Sequence, residues 1–449
     1  MIWPFKPHAP LGLTQKVTCE RLVEKAERFL AQRNYTLPAI VTPQDIDALI
    51  EQIKAEELPQ QMFNFFASRM PSSGESVAVT WAENETLFVD GQHVHFDCLT
   101  DDNGRICEVI FDRSLADFPY RLAAIAATTV AQSLVWTDTS DAAREEGLCE
   151  SIPLFFGAGA IMANAALHEL SETYGNFNFS SWSRSGSVGA VEFGYMMALT
   201  DWSLGTNYAA ISDQLRLDAQ EGLTKGLRFL KKTTDCCIQQ DFAKQSPDNS
   251  IRSLVSQLDA RSDSLLYSTL IEIWSCGEFD TDLLPGVTRL LSHSDVEIQK
   301  LAARTLGKFG SLPRPIHDEL VMLTANSPAT VRRAAVSSLR PGYENDEQVV
   351  ETLTELLRSG DAAMATNCIV TLLKYDSWPE HLCDCLLSGL STMVLTSGNE
   401  ELAAGVQLLH RVLDNPQQIL QDHFADDPSA LAIFNEILNG ETQVTASED

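Results

Sequence analysis

The sequence predicts a mainly α-helical protein in which a small α+β N-terminal domain is followed by an α-solenoid. Two observations carry that prediction. Between residues 250 and 375, anchors recur every 33 positions as Leu265, Ile298, Val331 and Met364. Parallel columns follow at Thr269, Ala302, Ala335 and Cys368, and at Ile273, Leu306, Leu339 and Leu372. Within each unit the three positions lie four apart, so at 3.6 residues per turn they share one helical face. A two-helix unit of this size cannot bury such a face alone and must stack on a neighbour. The second observation is a change of texture upstream of residue 245, where short strand-like runs alternate with helical stretches.

The N-terminal elements follow in order. Residues 14–33 and 43–57 have helical periodicity, and Thr42-Pro43-Gln44-Asp45 opens the second with proline in its first turn. They form a helical segment over 1–75. The α+β domain is expected over 76–244. Ser76 to Trp81 reads as a strand, and the runs Thr86 to Val89 and Gln92 to Phe96 flank Asp90-Gly91, a two-residue hairpin signal. Ile106 to Phe111 is a further strand. Helical stretches are expected at 117–136, 145–172 and 189–203, then from Leu215 to Thr233. The short polar run Gln245 to Ser250 reads as the linker to a solenoid over 245–440, with a disordered tail at 441–449.

Composition narrows the function classes. Apolar residues make up 44% of the chain, enough for sizeable cores, and no apolar run reaches the roughly 18 residues of a membrane span. The start lacks the apolar stretch of a signal peptide. Ten cysteines without framework spacing favour reduced thiols and a cytoplasmic setting. A net charge of −30 repels phosphate backbones, which excludes nucleic acid and would attract a basic partner, although acidity also serves solubility alone.

The run Ser294 to Gly310 resembles the second half of a HEAT repeat, and Ser327 to Val336 is similar to the next copy. The resemblance covers about 190 residues. It places Asp295 and Asp361 near the inter-repeat aspartate of that family and Arg332 at its arginine, with the Asp–Arg ladder incomplete. Beyond Leu373 the register loosens, but Leu402 to Val406 and Leu431 to Phe434 suggest further helices, the last serving as a cap.

A second resemblance covers roughly residues 105–238. Gly147 to Ala166, Glu192 to Leu199 and Lys225 to Thr233 look like segments of uncharacterised bacterial zincin-like metallopeptidase domains. Typical relatives carry a His-Glu-x-x-His helix upstream of the Gly-rich segment, then an acidic residue. Two histidines four apart face one metal, and the glutamate polarises the bound water. Here Ala127, Thr128 and Ala131 occupy those places, and none can ligate zinc or act as a base near neutral pH. Glu146 falls at the acidic residue and Glu150 at a neighbouring carboxylate. Four apart, they share a helical face and could hold a hard cation or simply be solvated. The resemblance therefore implies a pseudoenzyme: no catalytic residue, no cofactor and no resident metal.

Other fragments have chemistry-bearing spacings that ordinary structure also explains. His168-Glu169-Leu170-Ser171-Glu172 is a near miss for a metalloprotease helix, but such a pair is commonly a surface interaction. His93 and His95 alternate on a strand with Asp97 and Cys98 close by, a spacing also expected of an exposed hairpin. His381 and Cys385 share a helical side without a second Cys/His pair nearby, which favours packing. Cys236-Cys237 lacks redox spacing, and Ser183 to Gly189 lacks a Walker lysine and reads as a flexible loop. The expected function is a non-catalytic interaction or scaffold protein with a protein partner. The alternative is a metal-dependent hydrolase with non-standard ligands, Glu146 and Glu150 plus a histidine such as His93 or His168.

Overall fold

The computed structural model describes residues 8–33, 35–70, 76–82, 93–101, 104–136, 147–174, 177–184, 186–233, 235–238, 250–276, 279–310, 312–343, 346–394, 396–413 and 415–438. The chain divides into two units, residues 1–248 with 261–268, and residues 249–260 with 269–449.

The first unit opens with helices α1 (Leu13–Ala31), α2 (Pro43–Ile50) and α3 (Leu58–Ala67). The Thr42 hydroxyl accepts from the Asp45 amide, and the Asp45 carboxylate accepts from the Thr42 amide at 2.8 Å. This reciprocal box fixes the start of α2. The helix expected over 43–57 stops at Ile50 and resumes only as a 3-10 turn at Ala55–Glu57. Strands β1 (Ser76–Trp81), β2 (Val94–Asp101) and β3 (Gly104–Phe111) make a small sheet with β3 in the middle, parallel to β1 and antiparallel to β2. Thr86 to Val89 and the Asp90-Gly91 turn lie outside the described residues. Helix α4 (Pro119–Trp136) follows as expected.

The stretch 145–172 is not one helix. After α5 (Leu148–Ser151) come a 3-10 turn at Ile152–Phe156 and Gly157 at φ 80°, then α6 (Gly159–Ala165). Strand β4 (Leu167–Tyr174) then pairs antiparallel with β5 (Phe177–Arg184). Pro153 and the left-handed glycine break the helical path. Cross-strand pairing with Phe177–Arg184 then captures the segment beyond it.

Helices α7 (Ala190–Leu204) and α8 (Leu217–Leu230) complete the unit. Their backbones approach so closely at Gly194 that an added Cβ would collide with the backbone of Ala219 and Leu223. One apolar core runs from Cys19 to Ile238 and includes the inner face of α4.

Charge is also taken inside along α1. Lys16, Glu20, Arg21 and Glu27 are all buried there. The Lys16 ammonium donates to the Asp235 carboxylate at 2.7 Å and to its backbone carbonyl at 3.1 Å. Asp235 also accepts from the Ser262 hydroxyl at 2.9 Å and the Ser264 amide at 3.0 Å, which ties residues 261–268 to this unit. Glu20 accepts from the Tyr195 hydroxyl at 2.8 Å and the Cys237 amide at 2.9 Å.

In the second unit helices pair and stack. They are α9 (Ile251–Gln257), α10 (Asp263–Cys276, begun within 261–268), α11 (Leu284–Arg289), α12 (Val296–Lys308), α13 (Arg314–Asn326) and α14 (Ala329–Ser338). The series continues with α15 (Asp346–Leu356), α16 (Ala362–Leu372), α17 (Leu382–Met393), α18 (Asn399–Val412), α19 (Pro416–His423) and α20 (Pro428–Leu438). Helices α12, α14, α16, α18 and α20 stack in succession, and α13, α15, α17 and α19 each pack on the following member of that row. The 33-residue columns are its spine: Ile298, Val331, Met364, Ala302, Ala335, Cys368, Leu306, Leu339 and Leu372 are buried, while Leu265 is half-buried.

The rungs between repeats differ from the expected Asp–Arg ladder. Asp295 and Asp361 serve as N-caps, accepting from the amides of Glu297 and Ile298, and of Met364. Cations reach back from the end of one repeat to the end of the previous one. Arg340 donates to the Gly307 carbonyl at 2.9 Å. Lys374 donates to the carbonyls of Ser337 and Leu339 at 3.0 and 3.3 Å, and Arg411 donates to those of Leu373 and Tyr375. Each rung satisfies carbonyls left orphaned at a helix C-terminus, where positive charge is favoured.

Candidate functional site

The first unit holds a cavity of about 500 Å³. Its floor is α4, which contributes Arg121, Ala124, Ile125, Thr128, Thr129 and Gln132 at helical spacing. The start of β2 contributes His93 to Phe96, α6 contributes Met162 and Ala165, and Glu150 and Gly186 close one side.

Three features set its chemistry. The Nε of Arg121 is buried without a hydrogen-bond partner, and burial lowers the guanidinium pKa although Asp112 opposes the shift. His93 Nδ1 lies 3.0 Å from the Asp112 carboxylate. Burial raises Asp112, but the Ser114 amide and His93 outweigh it and hold that carboxyl below its ordinary value. Glu150 is clamped: Oε1 accepts from the Ser187 amide and hydroxyl, both at 2.8 Å, and Oε2 accepts from the Val188 amide at 3.1 Å. Gly186 makes this possible. It sits at φ 84°, and any Cβ there would strike the Glu150 carboxylate.

Ala127 and Ala131 are fully buried in the core, while Thr128 lines the cavity and spends its hydroxyl proton on the Ala124 carbonyl at 3.1 Å. Glu150, half-buried at the edge of the cavity, accepts from Ser187 and Val188 and so ties down the start of the segment leading into α7. Glu146, Asp97 and Cys98 lie outside what is described at the side-chain level. His168 stands on β4, opposite Ser183, so the helical His–Glu pair does not form. Four residues on a strand span roughly 13 Å. His93 and His95 both line the cavity, with His93 engaged by Asp112. Cys236 and Cys237 are free thiols, and burial pushes both up.

The hydroxyls of the lining residues Thr128 and Thr129 donate to the carbonyls of Ala124 and Ile125. The arrangement offers charge recognition, with a guanidinium and a locked carboxylate set among Val94, Phe96, Ile125, Met162 and Phe193. Sequence reasoning missed Arg121, Asp112 and Gln132. It also kept His381 and Cys385 apart from Glu355, and the structure brings these three together in the second unit.

Comparison with known proteins bears on the second unit. The family model for HEAT repeats matches residues 251–340. No curated protein and no solved structure matches the chain. Among the described residues, no helix is long and apolar enough to cross a membrane. Residues 251–340 thus carry HEAT repeats, within a mainly helical C-terminal region whose stacking continues beyond them.

Proposed function

We propose that this chain is a non-catalytic scaffold whose HEAT-like solenoid binds a protein partner. In this reading the N-terminal unit is a zincin-like scaffold that has lost its reaction centre. The observation that carries it is the unbroken row α12, α14, α16, α18, α20, which presents an extended surface of repeating helices. The loss of chemistry is supported by Ala127 and Ala131, which stand in the core where the zinc-binding histidines of the resembling family would be. The net charge of −30 favours a basic partner. The hydrolase alternative draws little support, because Glu150 is already committed to Ser187 and Val188.

The test is capture of partners by the full chain and by two surface variants. Arg304→Glu with Val370→Glu alters the stacked row, where both residues are exposed, and Met322→Glu alters the other row. Leu217→Ser, on the exposed outer side of α8, is the control. A partner lost with one solenoid variant and kept with the control identifies the binding row. Identical recovery with all three overturns the proposal.

A further inference from the structure

We infer that the solenoid carries a second kind of site, a binding site for a zinc-class divalent ion built by Glu351 and Glu355 on α15 with His381 and Cys385 at the start of α17. The inference stands independently of the scaffold reading. Each pair is spaced by four, so each presents both its members on one helical side. The two pairs are 30 residues apart, close to one repeat, and α15 and α17 are neighbours in the same row. One ligand atom from each of Glu355, His381 and Cys385 lies within 4.8 Å of the others. His381 Nε2 is 3.2 Å from Glu355 Oε1 and 3.4 Å from Glu351 Oε1. A tetrahedral zinc site has donor-to-donor edges of roughly 3.5 Å, so the imidazole–carboxylate distances already match and Glu355, His381 and Cys385, all within 4.8 Å of one another, need only tighten toward that edge.

An ordinary His–carboxylate ion pair does not account for these facts. Nε2 is buried, yet neither carboxylate meets it in hydrogen-bond geometry. Cys385 is fully buried with its thiol within 4.8 Å of the Glu355 oxygen and the His381 nitrogen, which an ion pair does not require. The donor set selects the metal. Oxygen donors alone would suit calcium or magnesium, whereas imidazole and thiolate with carboxylate suit zinc and its cobalt substitute. Binding forms a metal–sulfur bond as the Cys385 thiol proton leaves to solvent. Arg358, 3.9 Å from Glu355 Oε1, is the cation that an incoming ion would displace. Such an ion would staple consecutive repeats.

Full-length protein, stripped with chelator and titrated with cobalt(II), tests this. The expected result is one ion per chain with a thiolate-to-cobalt charge-transfer band and tetrahedral d–d bands. Zinc should abolish both. Cys385→Ser should remove the charge-transfer band, and His381→Ala should weaken binding by more than the roughly 100-fold cost of losing an outer-shell partner. Cys383→Ser, a neighbour outside the cluster, should change neither. Circular dichroism of each variant checks that it folds. Absence of stoichiometric binding by the wild type, or a band that survives Cys385→Ser, overturns the inference.

Discussion

The two units place their charged side chains differently. The first takes them inside: α1 buries Lys16, Glu20, Arg21 and Glu27, and tertiary hydrogen bonds satisfy the first three. The solenoid keeps charge at helix ends, where Arg340, Lys374 and Arg411 cap the preceding repeat. The contrast follows from architecture. A unit with one core from Cys19 to Ile238 is held by long-range contacts, and a buried polar network can fix how α1 docks. A solenoid repeat meets only its neighbours, so its polar work is done at the joints.

Two substitutions would break that contrast at its strongest points. Leu306 is fully buried in the column shared by α12 and its neighbours. Leu306→Ala should cost about 4 kcal/mol, the loss of burial plus a cavity. Hydrogen exchange should show the loss confined to adjoining repeats, with α1 and α7 still protected. Lys16→Met should cost about 3 kcal/mol, since it strips Asp235 of its cation and removes the ammonium that lies over the Phe229 ring. Here exchange should accelerate across the whole first unit. A local response in the first unit, or a global one in the solenoid, would erase the distinction.

The same difference explains what could be read from sequence. The solenoid was legible because it repeats its own signal. Ile298, Val331 and Met364 are three samples of one environment, and a spacing of 33 averages away local noise. β4 and β5 were not legible, because helical spacing between Gly147 and Ala166 ran on into a strand that only cross-strand pairing defines. Glu150 was legible as a carboxylate but not as a clamp, since its donors arrive from Ser187 and Val188. The cluster at His381 and Cys385 lay in between. Both pairs were visible as four-residue spacings, and shifting one by about a repeat would have joined them. Arg121 gave no signal, for nothing local marks a guanidinium as lining a cavity.

Titration sharpens the comparison further, with opposite signs in the two units. Burial, aided by the Glu24 charge, raises Glu27 from 4.5 to about 7. The folded first unit therefore holds that proton more tightly than the unfolded chain. Its contribution is full below the unfolded value and is lost as pH rises through about 7. Glu27→Gln, which keeps the shape without the charge, should stabilise the protein by about 2 kcal/mol at pH 8 and have little effect at pH 4. Denaturant titrations at the two pH values measure this, and an equal effect at both would show that the carboxyl is not the source.

Lys374 is the mirror case and the smallest effect, because it is only half-buried. Burial first, then the charge of Arg340, lowers it from 10.5 to about 8. Between those values the unfolded chain binds more protons than the folded solenoid, so solenoid stability should rise as pH climbs from about 8 to about 10.5. Lys374→Met should remove that rise and leave a pH-independent penalty of about 1 kcal/mol from the carbonyls of Ser337 and Leu339. The measurement is the midpoint of denaturant unfolding followed at Trp378, which packs against Arg411 one rung further on. A slope that persists in the variant would mean that a group other than Lys374 is the source of the pH dependence.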